Sequence, residues 1–200
     1  TYVAIQGPPG TGKTYTGAHL IHCLVKAGKR VGITAMSHHA IDNLLEEVVA
    51  VFTKAGDLSL LHAVRKVDGS HPRPHPSVTY TTSNDPCRRP EFNVVGGTTW
   101  LFSRAEMRAT PVDVLIVDEA GQLALADALA TADAAHGVVL LGDPLQLAQV
   151  SKGTHPNGSG ASVLEHVLGE HATMPADRGV FLSQTHRMHP DVRGFISDHL

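Results

Sequence analysis

The stretch Gly7-Pro8-Pro9-Gly10-Thr11-Gly12-Lys13-Thr14 lies between an apolar run, residues 2–5, and a segment with helical periodicity. It fits the P-loop pattern of a glycine, four further residues and Gly-Lys-Thr, in the required context of strand and then helix. Glycines let backbone N–H groups turn toward phosphates, and the N-terminal end of the helix attracts the same anions. The stretch therefore predicts a nucleotide-phosphate site, with Lys13 as a mobile charge and Thr14 as a Mg²⁺ ligand. The structural alternative is an ordinary Gly/Pro turn.

Short apolar runs alternate with helical patterns along the first half of the chain. Apolar residues recur at three- and four-residue spacing from Gly17 to Val25, Gly28 follows, and residues 31–35 form another apolar run. A second helical pattern then extends to Phe52. Strand, helix, strand, helix predicts a parallel sheet, because its crossovers are right-handed. We expect an α/β fold with a mainly parallel sheet and helices on both faces.

Length and composition indicate one globular domain. The chain has 200 residues, of which 42% are hydrophobic and 18% charged, and it contains no apolar stretch long enough to span a membrane. The two cysteines form no metal or redox motif and nothing resembles a signal peptide, so a cytoplasmic protein is expected. With 16 Lys and Arg against 19 Asp and Glu, there is no global basic field. Any nucleic-acid site must therefore be local.

The middle of the chain has weaker patterns. Residues 58–67 could form a strand, and residues 68–90 are polar and proline-rich, which indicates a surface loop or an insertion. His71 and His75 could bind a metal, but prolines separate them and no Cys or carboxylate cluster joins them. Arg88 and Arg89 are either phosphate contacts or solvated charges.

Two carboxylates follow an apolar run at residues 112–117. Asp118 and Glu119 stand at its tip, as in a Walker B strand. Asp118 can hold Mg²⁺, and Glu119 can orient or deprotonate an attacking water. The alternative is a pair of helix-capping acids.

Polar residues also follow the other predicted strands. Ser37, His38 and His39 come after one strand, Thr98 and Thr99 after another, and a loop beginning at Gly142 after a third. Ligands bind at the carboxyl ends of strands in open α/β sheets. The first triplet could equally be a helix N-cap with two solvated histidines. Near the end of the chain, His186 and His189 lack an evident third metal ligand, and a helix is expected from about residue 191.

Six separated segments resemble the motifs of a superfamily 1 helicase of the 5′-to-3′ branch. Motif I resembles residues 7–14, motif Ia residues 35–43, the third nucleic-acid-facing motif residues 94–99, motif II residues 118–122, motif III residues 142–147 and motif IV residues 184–190. Within that branch the chain looks most like the helicase part of bacterial RecB-like nucleases that carry a P-loop ATPase domain. The resemblance implies that residues 1–200 form a single RecA-like domain, the first core domain, with the linker to a second core domain starting near residues 185–200. A second RecA-like domain and possibly a nuclease domain are expected elsewhere in the full-length chain.

The resemblance also implies roles for single residues, with ATP and Mg²⁺ as cofactors. Lys13 would contact the β- and γ-phosphates, Thr14 and Asp118 would hold Mg²⁺, and Glu119 would be the general base. Gln146 would sense the γ-phosphate, Arg187 would stabilise charge on the transferring phosphoryl group, and His186 would stack on adenine. Single-stranded nucleic acid would lie along Ser37, His38, Thr98 and Thr99, and the nuclease-like relatives favour DNA over RNA.

Three positions depart from the usual motifs. His38 replaces an Asn in motif Ia, Ala148-Gln149 replace the usual Pro in motif III, and His186 replaces the Tyr of motif IV. Two other functions fit the same residues: a P-loop phosphotransferase, which would need an acceptor pocket, and a nucleotide-gated binding module that grips nucleic acid without unwinding it.

Overall fold

The computed structural model describes residues 1–69, 74–146 and 161–185. Within these residues the strands are β1 (Tyr2–Gln6), β2 (Val31–Thr34), β3 (Ala63–Lys66), β4 (Val78–Thr81), β5 (Val94–Gly96), β6 (Val112–Val117), β7 (Ala135–Gly142) and β8 (Gly179–Phe181). They form one sheet in the order β4-β3-β5-β2-β6-β7-β1-β8, and every neighbouring pair is parallel. All carboxyl ends of the strands therefore lie along one edge of the sheet.

Helices cover both faces of the sheet. They are α1 (Lys13–Lys26), α2 (His38–Ala55), α3 (Thr99–Phe102), α4 (Ala105–Ala109), α5 (Leu125–Ala132) and α6 (Val163–Leu168). α1 and α2 pack into one hydrophobic cluster, and α3 to α6 pack into a second. Neighbouring residues of β6 divide between them, Leu115 joining the second cluster and Ile116 the first, because successive strand residues point to opposite faces. The predicted α/β fold with a parallel sheet between two helical layers is confirmed.

Local capping fixes where the two long helices begin and end. The Ser37 hydroxyl accepts a hydrogen bond of 3.0 Å from the backbone N–H of Ala40, so Ser37 is the N-cap of α2. Gly28 follows the end of α1 with φ of 73°, a left-handed conformation that favours glycine. Gly28 thus ends α1 just before β2 begins, and Ser37 begins α2 just after β2 ends, at the carboxyl edge of the sheet.

The stretch predicted as a loop or an insertion, residues 68–90, contains a strand. Residues 78–81 form β4, which pairs with β3 at the edge of the sheet, and Asp85–Arg88 form a 3₁₀ turn. Val78 is buried in the first cluster and Tyr80 packs against it, whereas the prolines and polar residues on both sides conceal this short alternation in the sequence. In the stretch 58–67, Leu58–Leu60 form a 3₁₀ turn and residues 63–66 form the predicted strand. No helix among the described residues is long and apolar enough to cross a bilayer.

Candidate nucleotide and nucleic-acid sites

The loops after four neighbouring strands enclose a cavity of about 590 Å³ at the carboxyl edge of the sheet. They follow β1, β2, β6 and β7. The lining residues are Pro9, Gly10, Gly12, Lys13, Thr14, Ala40, Asn43, Asp118, Glu119, Gly142 and Gln146. The parallel sheet thus brings together segments that are more than a hundred residues apart in the sequence.

The P-loop after β1 has a backbone that only glycine accommodates easily. Gly10 and Gly12 have φ of 83° and 80°. A Cβ on Gly7 would lie 2.3 Å from the hydroxyl oxygen of Thr11, which in turn donates a hydrogen bond of 2.8 Å to the carbonyl of Pro8. The loop is a closed turn that leads directly into α1, as a phosphate cradle requires.

Lys13 is the first residue of α1 and its ammonium group lies back over the P-loop. It donates hydrogen bonds to the carbonyl oxygens of Gly7 and Pro8, the latter at 3.1 Å. Thr14 is the next residue of the same helical turn and also lines the cavity. A cation and a hydroxyl therefore stand together where a phosphate chain would meet the helix N-terminus.

The tip of β6 supplies two carboxylates in different environments. Asp118 is 6% exposed, and burial raises its pKa to about 6; the nearby negative charge of Glu119 also raises it, whereas the backbone N–H of Glu119 and the charge of Lys13 lower it. That N–H donates to Oδ1 of Asp118 at 2.9 Å. Glu119 is half-buried and is the non-glycine residue with positive φ, 54°, among those described. Backbone strain of this kind, about 1 kcal/mol, clusters at functional sites.

The tips of β6 and β7 are in direct backbone contact. The N–H of Ala120 donates to the carbonyl of Leu141 at 2.8 Å, and a Cβ on Gly121 would lie only 2.1 Å from the carbonyl oxygen of Asp143. The backbone N–H of Gln146 donates to that carbonyl at 3.2 Å. This contact holds Gln146 beside the two carboxylates, although the residues come from different predicted motifs.

The cavity fits a magnesium–nucleotide complex. Asp118 is a buried carboxylate whose desolvation a divalent cation would offset, and Thr14 adds an oxygen. Among the residues that the structure describes, no group of three or more His, Cys, Asp or Glu could hold a metal by itself. Mg²⁺ usually keeps several waters and takes one or two protein oxygens together with substrate phosphates, so this incomplete ligand set suits it.

A second cavity of about 250 Å³ lies at the same edge, over the ends of β2 to β5. Two of the predicted nucleic-acid residues, His38 and Thr98, line it. The others in its lining are Lys66, Asp68, Thr82, Asn84, Trp100, Leu101 and Arg104. Thr99 is the first residue of α3 and lies in the sequence between Thr98 and Trp100, which both line this cavity. Ser37 is exposed and is the N-cap of α2. The N-cap alternative for Ser37 is therefore confirmed.

The side chain of His38 is hydrogen-bonded to a fully buried arginine. Arg65, on β3, places Nε 2.7 Å from a carboxylate oxygen of Asp42 and Nη2 3.0 Å from Nδ1 of His38. Because a guanidinium only donates, His38 Nδ1 accepts, which leaves Nε2 to donate toward Asp68 at 3.3 Å. The buried guanidinium thus fixes the orientation of the imidazole ring and ties α2 to β3.

The structure assembles most of the predicted nucleotide residues and adds others. Lys13, Thr14, Asp118, Glu119 and Gln146 share one cavity, whereas His186 and Arg187 lie outside the described residues. Sequence reasoning missed Asn43 of α2, although it ends the stretch that resembles motif Ia. It also missed most of the second cavity, for which the single tryptophan directly after Thr98 and Thr99 was an available signal. His75 donates its backbone N–H to the Tyr80 hydroxyl at 3.2 Å, and His71 lies outside the described residues.

The chain is similar in sequence to a known domain family and to known helicase/nucleases. The AAA domain family model matches residues 1–158. The DNA replication ATP-dependent helicase/nuclease DNA2 of Saccharomyces cerevisiae is 30% identical over 154 residues, which cover 76% of this chain and 10% of that protein. The Homo sapiens DNA2 is 30% identical over 159 residues, covering 73% of this chain and 14% of that protein. The chain thus spans about a seventh or less of the length of these relatives.

A solved structure supports the fold. The arterivirus nonstructural protein 10 helicase superposes on 98% of this chain and 38% of its own, with a TM-score of 0.56 and 19% identity. At this identity the likeness concerns the fold alone. Together with the family match and the assembled motifs, it shows that the chain belongs to the AAA domain family and has the RecA-like P-loop fold of a superfamily 1 helicase core domain.

Proposed function

We propose that the chain is the ATP-hydrolysing core domain of a nucleic-acid helicase or translocase that grips single-stranded DNA. One observation carries the proposal: a single cavity contains the P-loop, the carboxylate pair of Asp118 and Glu119, and Gln146. The DNA2 relatives are named as ATP-dependent helicase/nucleases, which favours a motor over other P-loop functions and DNA over RNA.

Each cavity residue has a defined task in this proposal. Lys13 leaves its carbonyl partners to neutralise the β- and γ-phosphates. Glu119 accepts a proton from the attacking water or orients it, and its position at the cavity wall leaves it open to that water. When bound, Mg²⁺ would be held by Thr14 and Asp118 and would neutralise charge on the phosphate oxygens.

Helix α2 connects the two cavities and would couple ATP hydrolysis to the binding of nucleic acid. His38, in its first turn, lines the second cavity, while Ala40 and Asn43 line the nucleotide cavity. Gln146 would sense the γ-phosphate from the opposite wall. A shift of α2 on hydrolysis would therefore reach both sites, which is what a motor needs.

The full-length protein would carry a second RecA-like domain, with Arg187 near the junction as a source of positive charge for the transferring phosphoryl group. A nuclease domain is proposed on the strength of the relatives' names. A P-loop phosphotransferase is the second candidate function, but a carboxylate at the position of Glu119 favours activation of water. A gated binding module that does not unwind remains the third.

The test is steady-state ATP turnover by the full-length protein, measured as phosphate release with and without a single-stranded oligonucleotide, (dT)30. We expect Mg²⁺-dependent release that (dT)30 stimulates. A rate of phosphate release that (dT)30 does not change would contradict the helicase or translocase function. A phosphorylated small-molecule product would favour the phosphotransferase. Stimulated release without strand separation of a tailed duplex would favour the gated binding module.

A further inference from the structure

Trp100 stands out from the surface of the second cavity. It is the single tryptophan of the chain, and its side chain is 82% exposed. The next two residues, Leu101 and Phe102, are 3% and 0% exposed and anchor the short helix α3 in the second hydrophobic cluster. The indole ring is therefore presented to solvent from a fixed backbone, and an exposed tryptophan on a rigid support is typical of binding surfaces.

Positive charge lies beside this ring. Lys66, at the end of β3, and Arg104, directly before α4, line the same cavity. Lys66 donates to the carbonyl of Val67 at 2.9 Å and lies 3.6 Å from Asp68, and Arg104 lies 3.2 Å from a carboxylate oxygen of Glu106. The Arg104–Glu106 pair is at the surface, where such pairs are weak, and Lys66, which is 18% exposed, pairs with an Asp68 that is 83% exposed; a phosphate can displace both carboxylates.

Three other lining residues carry groups that bind nucleic acid without reading its sequence. Thr82, Asn84 and Thr98 offer hydroxyl and amide groups to phosphate and sugar oxygens. An aromatic face beside cations matches the combination found in sites for single strands, where bases stack on rings and the backbone follows positive charge. Bases of a duplex are stacked on each other and do not present their faces, so the arrangement selects unpaired strands.

We propose that Trp100 is a stacking platform for one unpaired base of single-stranded DNA, with a neighbouring phosphate held between Lys66 and Arg104. This inference rests on the proposed function, since it concerns the strand on which that activity acts. It assigns the grip to base stacking as well as to the backbone contacts expected of His38 and Thr98. Because every base has a π-face, the platform works on any sequence.

The experiment measures binding of two oligonucleotides to the full-length protein by fluorescence anisotropy. One is (dT)15, and the other is an abasic 15-mer with the same backbone charge. We expect Trp100→Ala to weaken binding of (dT)15 by about 5- to 150-fold, the range found when a stacking ring is removed. In Trp100→Ala the affinity for the abasic strand should stay nearly unchanged, and Trp100→Phe should retain most of the affinity for (dT)15. The control is Leu60→Ala, which replaces an exposed apolar residue before β3 and should change the affinity for neither strand.

Intrinsic fluorescence gives an independent readout of the same contact. The difference between the emission of the wild-type protein and that of Trp100→Phe isolates Trp100, and (dT)15 should quench it whereas the abasic strand should not. Lys66→Ala and Arg104→Ala should each weaken the binding of both strands. Each should also reduce the slope of log affinity against log salt concentration by the amount expected for about one phosphate contact. Lys54→Ala, an exposed cation at the far end of α2, is the matched control.

Four results would overturn the proposal. Equal affinity of wild type and Trp100→Ala for (dT)15 would remove the platform while leaving the proposed function intact. An equal loss for both strands would show that the ring acts on the backbone or on folding. If acrylamide fails to quench Trp100 in the protein without DNA, another part of the protein covers the ring. Failure of wild type to bind either strand would refute the proposed function as well.

Discussion

Replacing Asp118 by Asn should stabilise the domain while destroying its activity. The carboxylate is 6% exposed, and burial raises its pKa from 3.8 to about 6. Since the folded state holds the proton more tightly than the unfolded state does, the wild type loses stability as pH rises through this window. By linkage the loss is about 1 kcal/mol at pH 4.5 and about 3 kcal/mol at pH 7.5.

Asn is the neutral isostere of the protonated side chain, and its Oδ1 can still accept the hydrogen bond from the Glu119 N–H. The variant therefore avoids the cost of burying a charge. We expect it to be more stable than wild type at pH 7.5 in urea unfolding, with an advantage that shrinks by about 2 kcal/mol at pH 4.5. Added MgATP should stabilise the wild type and not the variant, because the variant lacks the anionic metal ligand.

Asp177→Asn provides the matched control, since Asp177 is an exposed aspartate away from the cavity. Its stability relative to wild type should not change with pH. If Asp118→Asn shows the same flat profile, or is less stable than wild type at pH 7.5, the reasoning about the buried carboxylate is wrong.

Three other substitutions test separate parts of the structure. Lys13→Ala should lower ATP turnover by at least about 100-fold, because a positioned charge at the phosphates is lost. Lys26→Ala, at the other end of the same helix, should leave turnover unchanged. A phosphate-release assay compares the two variants. Gly121→Ala should cost about 1–3 kcal/mol in urea unfolding, since its Cβ would lie 2.1 Å from a carbonyl oxygen of the β7 loop, and Gly69→Ala, with nothing within 4 Å, should be nearly neutral. Arg65→Ala should cost about 3–5 kcal/mol because it breaks a buried ion pair, and a loss below 1 kcal/mol would contradict the support that we assign to this arginine.

Short-range spacing made the nucleotide cavity predictable. The P-loop pattern of residues 7–14 and the carboxylate pair after residues 112–117 each have a local signature, and the parallel sheet then brings their ends together. The contact between Gly121 and Asp143 had no such signature, because it depends on how closely two neighbouring strand ends approach.

Beyond His38, Thr98 and the signal of Trp100, the second cavity could not be predicted, because no single segment builds it. Lys66, Thr82 and Arg104 come from three different parts of the chain, and β4, whose end supplies Thr82, is concealed by flanking polar residues and prolines. Arg65 reverses the usual expectation for a strand arginine, since its charge is completely buried. Its partner Asp42 lies on the helix that β3 faces, a pairing that only the tertiary structure reveals.

The central claim is that the shared cavity hydrolyses ATP with Glu119 as the residue that activates water. It is tested most directly by measuring ATP binding and single-turnover hydrolysis for wild type and Glu119→Gln, in the full-length protein with saturating (dT)30. Gln keeps the size of the side chain but cannot accept the proton. We predict ATP affinity within about threefold of wild type and hydrolysis slower by at least about 100-fold. Hydrolysis at the wild-type rate in Glu119→Gln would contradict the account.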